Sequence, residues 1–226
     1  MSIILEEFTK SWVSPSQYDY LLENGWRHFG ENFFRYNINI YNNEICNVLP
    51  LRVRIENFHL TKSQRKILRR NKNFNYKIQK VNIDEEAEQL FSIHKEKFVD
   101  NVPNSIFDFL SEKNPTNVPT SVYEIRITDQ EKTIAISYFA IGAEAISSIY
   151  GMFHPDYAKY SLGILTMLLE IKFTKSNNLL FYYHGYCYDV PSFYDYKKKF
   201  SNLEYYQWDN NKWEPYLVEQ GVNTMK

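Results

Sequence analysis

Cysteine is nearly absent from this chain. Cys46 and Cys187 are the only two in 226 residues. Two are too few for a disulfide framework or a metal site, and their scarcity fits a reducing compartment. Seven glycines and eight prolines leave no linker-rich or low-complexity tract. No apolar run approaches the roughly 20 residues that cross a bilayer. The N-terminal stretch MSIILEEFTKSW has a short apolar run without a charged leader or cleavage pattern. A soluble, cytoplasmic protein without membrane contact is therefore expected. An excess of one charge sign is also missing: the formal net charge is −1. Any contact with a polyanion must then be local.

What is abundant is apolar and aromatic. Hydrophobic residues make up 44% and aromatics 17%, with 19 Tyr and 16 Phe. That is enough for a real core and many half-buried amphipathic surfaces. Against the neutral average, one segment stands out. Between Lys62 and Lys80 there are eight basic residues and no acidic one. Thr61 and Gln64 form a capping-box pair ahead of a short helix carrying Lys62, Arg65, Lys66, Arg69 and Arg70. Ile67 and Leu68 are left to pack inward, and Asn71 is placed as a left-handed stop. A helix laced for stability would alternate signs at i,i+4. This one repels itself unless an anion lies nearby, and arginine's planar fork suits phosphate or carboxylate.

The periodicities predict a mixed α+β protein: a mixed sheet with helices on its faces. Residues 1–50 read as an N-terminal arm or small subdomain and 51–226 as the main domain. Pro15–Asn24 reads as a helix stopped at Gly25, and Arg35–Tyr41, Arg52–Phe58 and Asn75–Asn82 as strands. Asp84–Val99 reads as an amphipathic helix with His94 on its apolar stripe, and Ile106–Ser111 as a helical turn. Val122–Thr128, Thr133–Gly142 and Ala145–Met152 read as hairpin-connected strands. Ser161–Asn177 reads as a helix, Leu179–Tyr183 as the strand closing a β-α-β unit, and Ser192–Phe200 as a short basic helix. Tyr205–Trp208 and Trp213–Tyr216 can close as a hairpin.

Five collinear stretches over roughly residues 18–200 resemble one family. PLRVRIENFHLTKSQRKILRRN resembles the "PLR…S-Q-R-R-x-x-R-R-N" signature of arginyl- and leucyl-tRNA–protein transferases. Gly25-Trp26-Arg27 resembles the family's GWRR. His154-Pro155-Asp156 with Ser161-Leu162-Gly163 resembles its "Pro-Glu…SLG". Tyr183-His184-Gly185-Tyr186 resembles YLGY, and Tyr194–Phe200 resembles "M-x-YK-x-x-F". The chain departs from these patterns at His184 and Tyr194. The longer members carry an N-terminal cysteine cluster implicated in metal or iron–sulfur binding. Only Cys46 precedes the PLR stretch here, so no metal site and no cofactor is expected.

The resemblance implies a Gcn5-related N-acetyltransferase-like fold. It also implies transfer of Arg or Leu from aminoacyl-tRNA to the α-amine of proteins with acidic N-terminal residues. The alternatives are an acyl-CoA-dependent N-acyltransferase and a non-catalytic tRNA-end or N-terminus binding module. Attack on an aminoacyl ester needs a neutral amine, and at a pKa of ~8 about a tenth is neutral at pH 7. It also needs donors for the oxyanion and a hold on the tRNA end. The ester is already reactive, so positioning can supply much of the rate.

The roles expected on this basis are as follows. Ser63, Gln64, Arg65, Lys66, Arg69, Arg70 and Asn71 hold tRNA phosphates or an acidic acceptor side chain. Ser161, Leu162 and Gly163 offer backbone N–H groups to the tRNA terminus or the oxyanion. Tyr183, Gly185, Tyr196 and Lys197 line the cleft. The candidate catalytic residues are His184, Asp189 and Tyr186. His184 has the right intrinsic pKa for a base, but its aromatic neighbours equally allow a buried structural role. Asp189 is the alternative base or a turn residue before Pro191. Cys187 reads as a small buried side chain.

Overall fold

The computed structural model describes residues 2–99 and 101–217. Strands β1 (Leu5–Thr9), β2 (Arg27–Phe29) and β3 (Asn32–Tyr36) form a small antiparallel sheet in the order β1–β3–β2. Helix α1 (Pro15–Glu23) lies between β1 and β2 in the chain. It starts at Ser14 with a complete capping box to Gln17 and proline in its first turn. The alternation over residues 35–41 predicts one strand, but the chain divides it. Asn37 is fully buried. Its backbone and side chain bond Ser2 and Ile4, and its carbonyl accepts from Val48. The bend there hands the chain to β4 (Ile38–Tyr41), which pairs with β5 (Glu44–Arg54).

β5 begins and ends earlier than the strand expected over Arg52–Phe58, so residues 55–58 lie outside it, and it contains Pro50. The proline falls after β4 pairing ends at Asn47 and before pairing with Leu203–Tyr205 begins at Leu51, where one strand edge carries no ladder. Helix α2 (Lys62–Arg70) has the expected capping box from Thr61 and Gln64. Its stop differs from expectation: Asn71 has φ −99°, not a left-handed value. The helix ends because the Asn71 side chain bonds the carbonyls of Ile67 and Tyr160. β6 (Asn75–Lys80) follows, then α3 (Glu85–Lys95), capped by Asp84 and shorter than predicted. The expected turn at 106–111 is a 3-10 turn over Ile106–Asp108.

β7 (Ser121–Asp129), β8 (Lys132–Ile141) and β9 (Ala145–Phe153) form the expected meander. Then come α4 (Leu162–Ser176), β10 (Phe181–Tyr188), a 3-10 segment over Phe193–Lys199, and the hairpin β11 (Leu203–Gln207) and β12 (Lys212–Pro215). The main sheet runs β12–β11–β5–β10–β9–β8–β7–β6, with β4 appended to β5. Its paired neighbours are antiparallel except β9 and β10, which the α4 crossover makes parallel.

Each face of the sheet has its own core. On one, Leu162, Leu165, Leu168, Leu169 and Ile171 of α4 pack with Ile67 of α2 over Val53, Ile125, Phe139 and Tyr182. Each such side chain contributes about 1.5–3 kcal/mol on burial. On the other, Tyr18 and Leu22 of α1, Phe33 of β3 and Leu90 and Phe91 of α3 pack over Val122, Tyr138 and Tyr183. Arg52 ties the layers together. It bonds Glu204 at 2.6 Å, Glu23 of α1 at 2.6 Å and the Tyr183 hydroxyl at 3.0 Å, between the rings of Phe181 and Trp213.

Candidate active site

β9 and β10 pair only at Ala145–Phe181, Ile146–Tyr182 and Ser147–Tyr183. Beyond that point β9 continues along β8 and β10 along β5, so the sheet opens between Ser148 and Gly185. A register shift in β10 between Tyr183 and Gly185, with Gly185 at φ +101°, marks the divergence. The Ser148 carbonyl, which has lost its neighbouring strand, accepts from Arg27 Nη2 at 2.6 Å. Arg27 comes from β2, on the face of the small sheet. Glu170 comes from α4, on the opposite face. Lys197 arrives from the 3-10 segment and donates to the Tyr186 carbonyl at 3.0 Å.

Two cations converge on Gly185. A methyl group built there would meet Lys197 Nζ at 3.0 Å and Arg27 Nη1 at 3.1 Å. Among the described residues neither cation has a carboxylate within ion-pair distance, and Arg27 Nη1 is buried with no acceptor. Burial, and then the Arg27 charge, bring the Lys197 ammonium down to about 7. An arginine and a lysine without a carboxylate partner, around a residue without a side chain, can seat a small anion, whose charge would favour the protonated lysine.

The cleft residues named from sequence meet here, in unequal roles. Gly185 and Lys197 form the cation seat. Tyr196 is half-buried, and burial pushes its hydroxyl up to about 12. Tyr183 is buried, its hydroxyl spent on Arg52 and Glu23. The Tyr186 hydroxyl donates to the Gly25 carbonyl at 2.6 Å, and burial holds it far above its usual range, so it anchors the N-terminal layer. His184 takes the structural role left open for it. It is 3% exposed, its Nε2 lies 3.0 Å from the Lys197 carbonyl, and its ring stacks on Tyr182. Burial, with Lys197 beside it, lowers it to about 3, so it is neutral at pH 7 and no base tuned to that pH. Asp189 is exposed and lies outside the split, where it accepts from Asn47 backbone and side chain. Cys187 is a buried thiol pushed up to about 12 by desolvation.

The basic helix lies beside this region rather than in it. Lys62, Ser63, Arg65, Lys66, Arg69 and Arg70 are exposed. Arg65 bonds the Leu60 carbonyl and Arg70 the Lys159 carbonyl. Gln64 and Asn71 face inward: Gln64 bonds the Lys199 carbonyl, and Asn71 the Tyr160 carbonyl. These links place the positive face next to residues 155–160, which lead directly into the α4 N-terminus. Ser161 is left-handed there, at φ 57°. Leu162 is fully buried, and Gly163 lies against Phe153. The Ser161 N–H, expected to be open, is spent on the Ala158 carbonyl at 3.1 Å, which closes the preceding 3-10 turn; the Leu162 and Gly163 amides that open α4 have no intrahelical partner.

Arg27 and Glu170 escaped the sequence reading. Arg27 stood inside the Gly-Trp-Arg resemblance without a role. Glu170 was visible as a lone acid in the apolar run LGILTMLLEIKF. Among the described residues no three His, Cys, Asp or Glu side chains gather as a metal group. No described helix is long and apolar enough to cross a membrane.

Cations, open amides and thiols that stay protonated position a reactive acyl donor rather than attack it. Such an arrangement suits an acyltransferase. Sequence models of the arginine-tRNA-protein transferase family match this chain in both parts, the N terminus over residues 2–66 and the C terminus over residues 72–207. The chain belongs to that family, and is a tRNA-dependent aminoacyltransferase. Relatives named aspartate/glutamate leucyltransferase agree. The Campylobacter jejuni protein is 29% identical over 176 residues, 74% of this chain and 70% of that one. The Helicobacter hepaticus protein is 26% identical over 201 residues, 85% and 80% of the two chains. The Vibrio parahaemolyticus protein is 25% identical over 205 residues, 89% and 84%. Among solved structures, L-PGS from Bacillus licheniformis aligns with TM-score 0.46 and 12% identity, over 83% of this chain and 55% of that one.

Proposed function

We propose that this chain moves leucine from charged tRNA to the α-amine of proteins beginning with Asp or Glu, with the split between β9 and β10 as the reaction centre. The observation that carries this reading is the pair of basic side chains without a carboxylate partner, Arg27 and Lys197, closing on Gly185. A carboxylate is the small planar anion that fits between them, and it gains charge-assisted hydrogen bonds from both. The relatives' names support the same acceptor class and leucine as the donor's amino acid.

In this reading the exposed cations of α2, Lys62, Arg65, Lys66 and Arg69, hold tRNA phosphates. The open amides at Leu162 and Gly163 receive the terminal nucleotide. The opened parallel pair with a helix N-terminus beside it is the feature that supports a Gcn5-related N-acetyltransferase-like arrangement. The chain's own residues bind and orient: Arg27 and Lys197 hold the acceptor side chain, and no covalent enzyme intermediate forms.

The test offers peptides beginning with Asp, Glu or Ala to the protein, with tRNA charged with labelled Leu or Arg. Acetyl-CoA is supplied in a parallel tube. Label is expected on the Asp and Glu peptides from leucyl-tRNA. Equal labelling of the Ala peptide would reject the carboxylate seat. Transfer from acetyl-CoA alone would reject the donor.

A further inference from the structure

Glu170 is unusual for its place. It sits on the buried face of a helix whose neighbours there are Leu165, Thr166, Leu169 and Ile171, and it is 0% exposed. Tyr182 donates to its Oε2 at 2.6 Å; Oε1 has no partner at hydrogen-bond distance, although the Ser137 and Ser148 hydroxyls act on the carboxyl. Burying a half-satisfied carboxyl is costly. A glutamine would serve Tyr182 equally well without a charge. What the acid adds over a glutamine is its charge, which Arg27 stabilises.

The groups around it come from every element bordering the split: Tyr182 of β10, Ser137 of β8, Ser148 of β9, Arg27 of β2 and Tyr196 of the 3-10 segment. Ser148 is the link. Its carbonyl holds Arg27, its hydroxyl is one of the groups that favour the charged Glu170 carboxyl, and it is only partly buried. A carboxylate resting on Arg27 is thus one residue of β9 away from Glu170.

We propose that Glu170, with the Ser148 hydroxyl as relay, is the proton acceptor of the transfer reaction; this rests on the function proposed above. The amine nitrogen forms its bond to the ester carbonyl carbon, and the carbon–oxygen bond to the ribose breaks. The bonding electrons leave on the ribose oxygen. The proton shed by the nitrogen passes through Ser148 to Glu170 and returns to that oxygen, so atoms and electrons balance. Desolvation, opposed by the Tyr182, Ser137 and Ser148 hydroxyls and by Arg27, pushes Glu170 up to about 7, where it can both take and give a proton.

The experiment compares Glu170→Gln, Glu170→Asp and Ser148→Ala with the parent chain on an Asp-initiated peptide and leucyl-tRNA, from pH 5.5 to 9. Glu170→Gln is expected to lose about 100-fold or more in kcat, with KM for the peptide changed less than about threefold. Below pH 7 the parent's log rate should climb with a slope near about two, because the amine and Glu170 must both lose a proton, and Glu170→Gln should climb with a slope of about one. Glu170→Asp recovers part of the rate, and Ser148→Ala loses rate without losing stability. Full activity and an unchanged slope in Glu170→Gln overturn the role while leaving the function standing. If Glu170→Gln does not fold, an undiminished rate in Ser148→Ala overturns the relay. No transfer by the parent chain overturns the function and this role together.

Discussion

Replacing Lys197 with methionine should make this protein more stable and less active. The ammonium's fall from 10.5 to about 7 on folding measures what burial and Arg27 cost it. At 1.36 kcal/mol per pH unit this bounds the cost near ~5 kcal/mol. Water reaching the partly exposed side chain reduces it to about 2 kcal/mol. Between about 7 and 10.5 the unfolded chain binds more protons at this lysine than the folded one. Stability of the parent therefore rises with pH across that window and falls as pH drops through it. Methionine keeps most of the volume and removes the charge. The variant should gain about 2 kcal/mol at pH 7, equivalent to about 4–8 °C in Tm for a chain of this size. Its stability should be flatter than the parent's between pH 7 and 10. Transfer to Asp peptides should meanwhile lose about 1.5–3 kcal/mol in kcat/KM, a factor of about 10 to 150. Urea unfolding at several pH values and steady-state transfer on matched Asp and Ala peptides give both readings. An equally stable variant with the same pH slope would refute the desolvated lysine. A variant whose Asp-over-Ala preference survives would refute the seat.

Three further perturbations test the frame around the split. Gly185→Ala places a methyl group at φ +101° against both cations; it should cost about 1–3 kcal/mol in backbone strain and raise KM for acidic peptides more than for neutral ones, read by calorimetry and kinetics. Arg52→Ala strips Glu23, Glu204 and Tyr183 of their shared partner and should cost about 3 kcal/mol by chemical denaturation. The low end is expected because Arg54 still holds Glu204 at 2.8 Å; a loss below 1 kcal/mol, on the order of a surface pair, would show that the network is not a unit. Lys66→Ala with Arg69→Ala should leave stability within about 0.5 kcal/mol. The same pair should lower the salt slope of tRNA binding by about 1.5; an unchanged slope would mean that α2 is only a solvated face.

Local patterns in the chain determined a good deal. The capping box of Thr61 and Gln64, the short hairpin connections within residues 121–153 and the apolar run of α4 each rest on groups within a few positions of one another. The five collinear stretches pointed to the family that the sequence models match. Where a long-range contact overrides a local pattern, the chain alone misleads. Asn37 breaks an alternating run because it bonds Ser2 and Ile4, and Pro50 sits inside a strand because that strand changes partners around it. The site belongs to the same class. Arg27, Ser148, Glu170, Gly185 and Lys197 come from β2, β9, α4, β10 and a 3-10 segment, and nothing in their spacing says that they meet. Their meeting follows from a parallel pair that opens after three residues. Neither the lowered lysine nor the raised glutamate is a property of its residue type. Each comes from desolvation and neighbouring charge, which exist only once the layers close over the split.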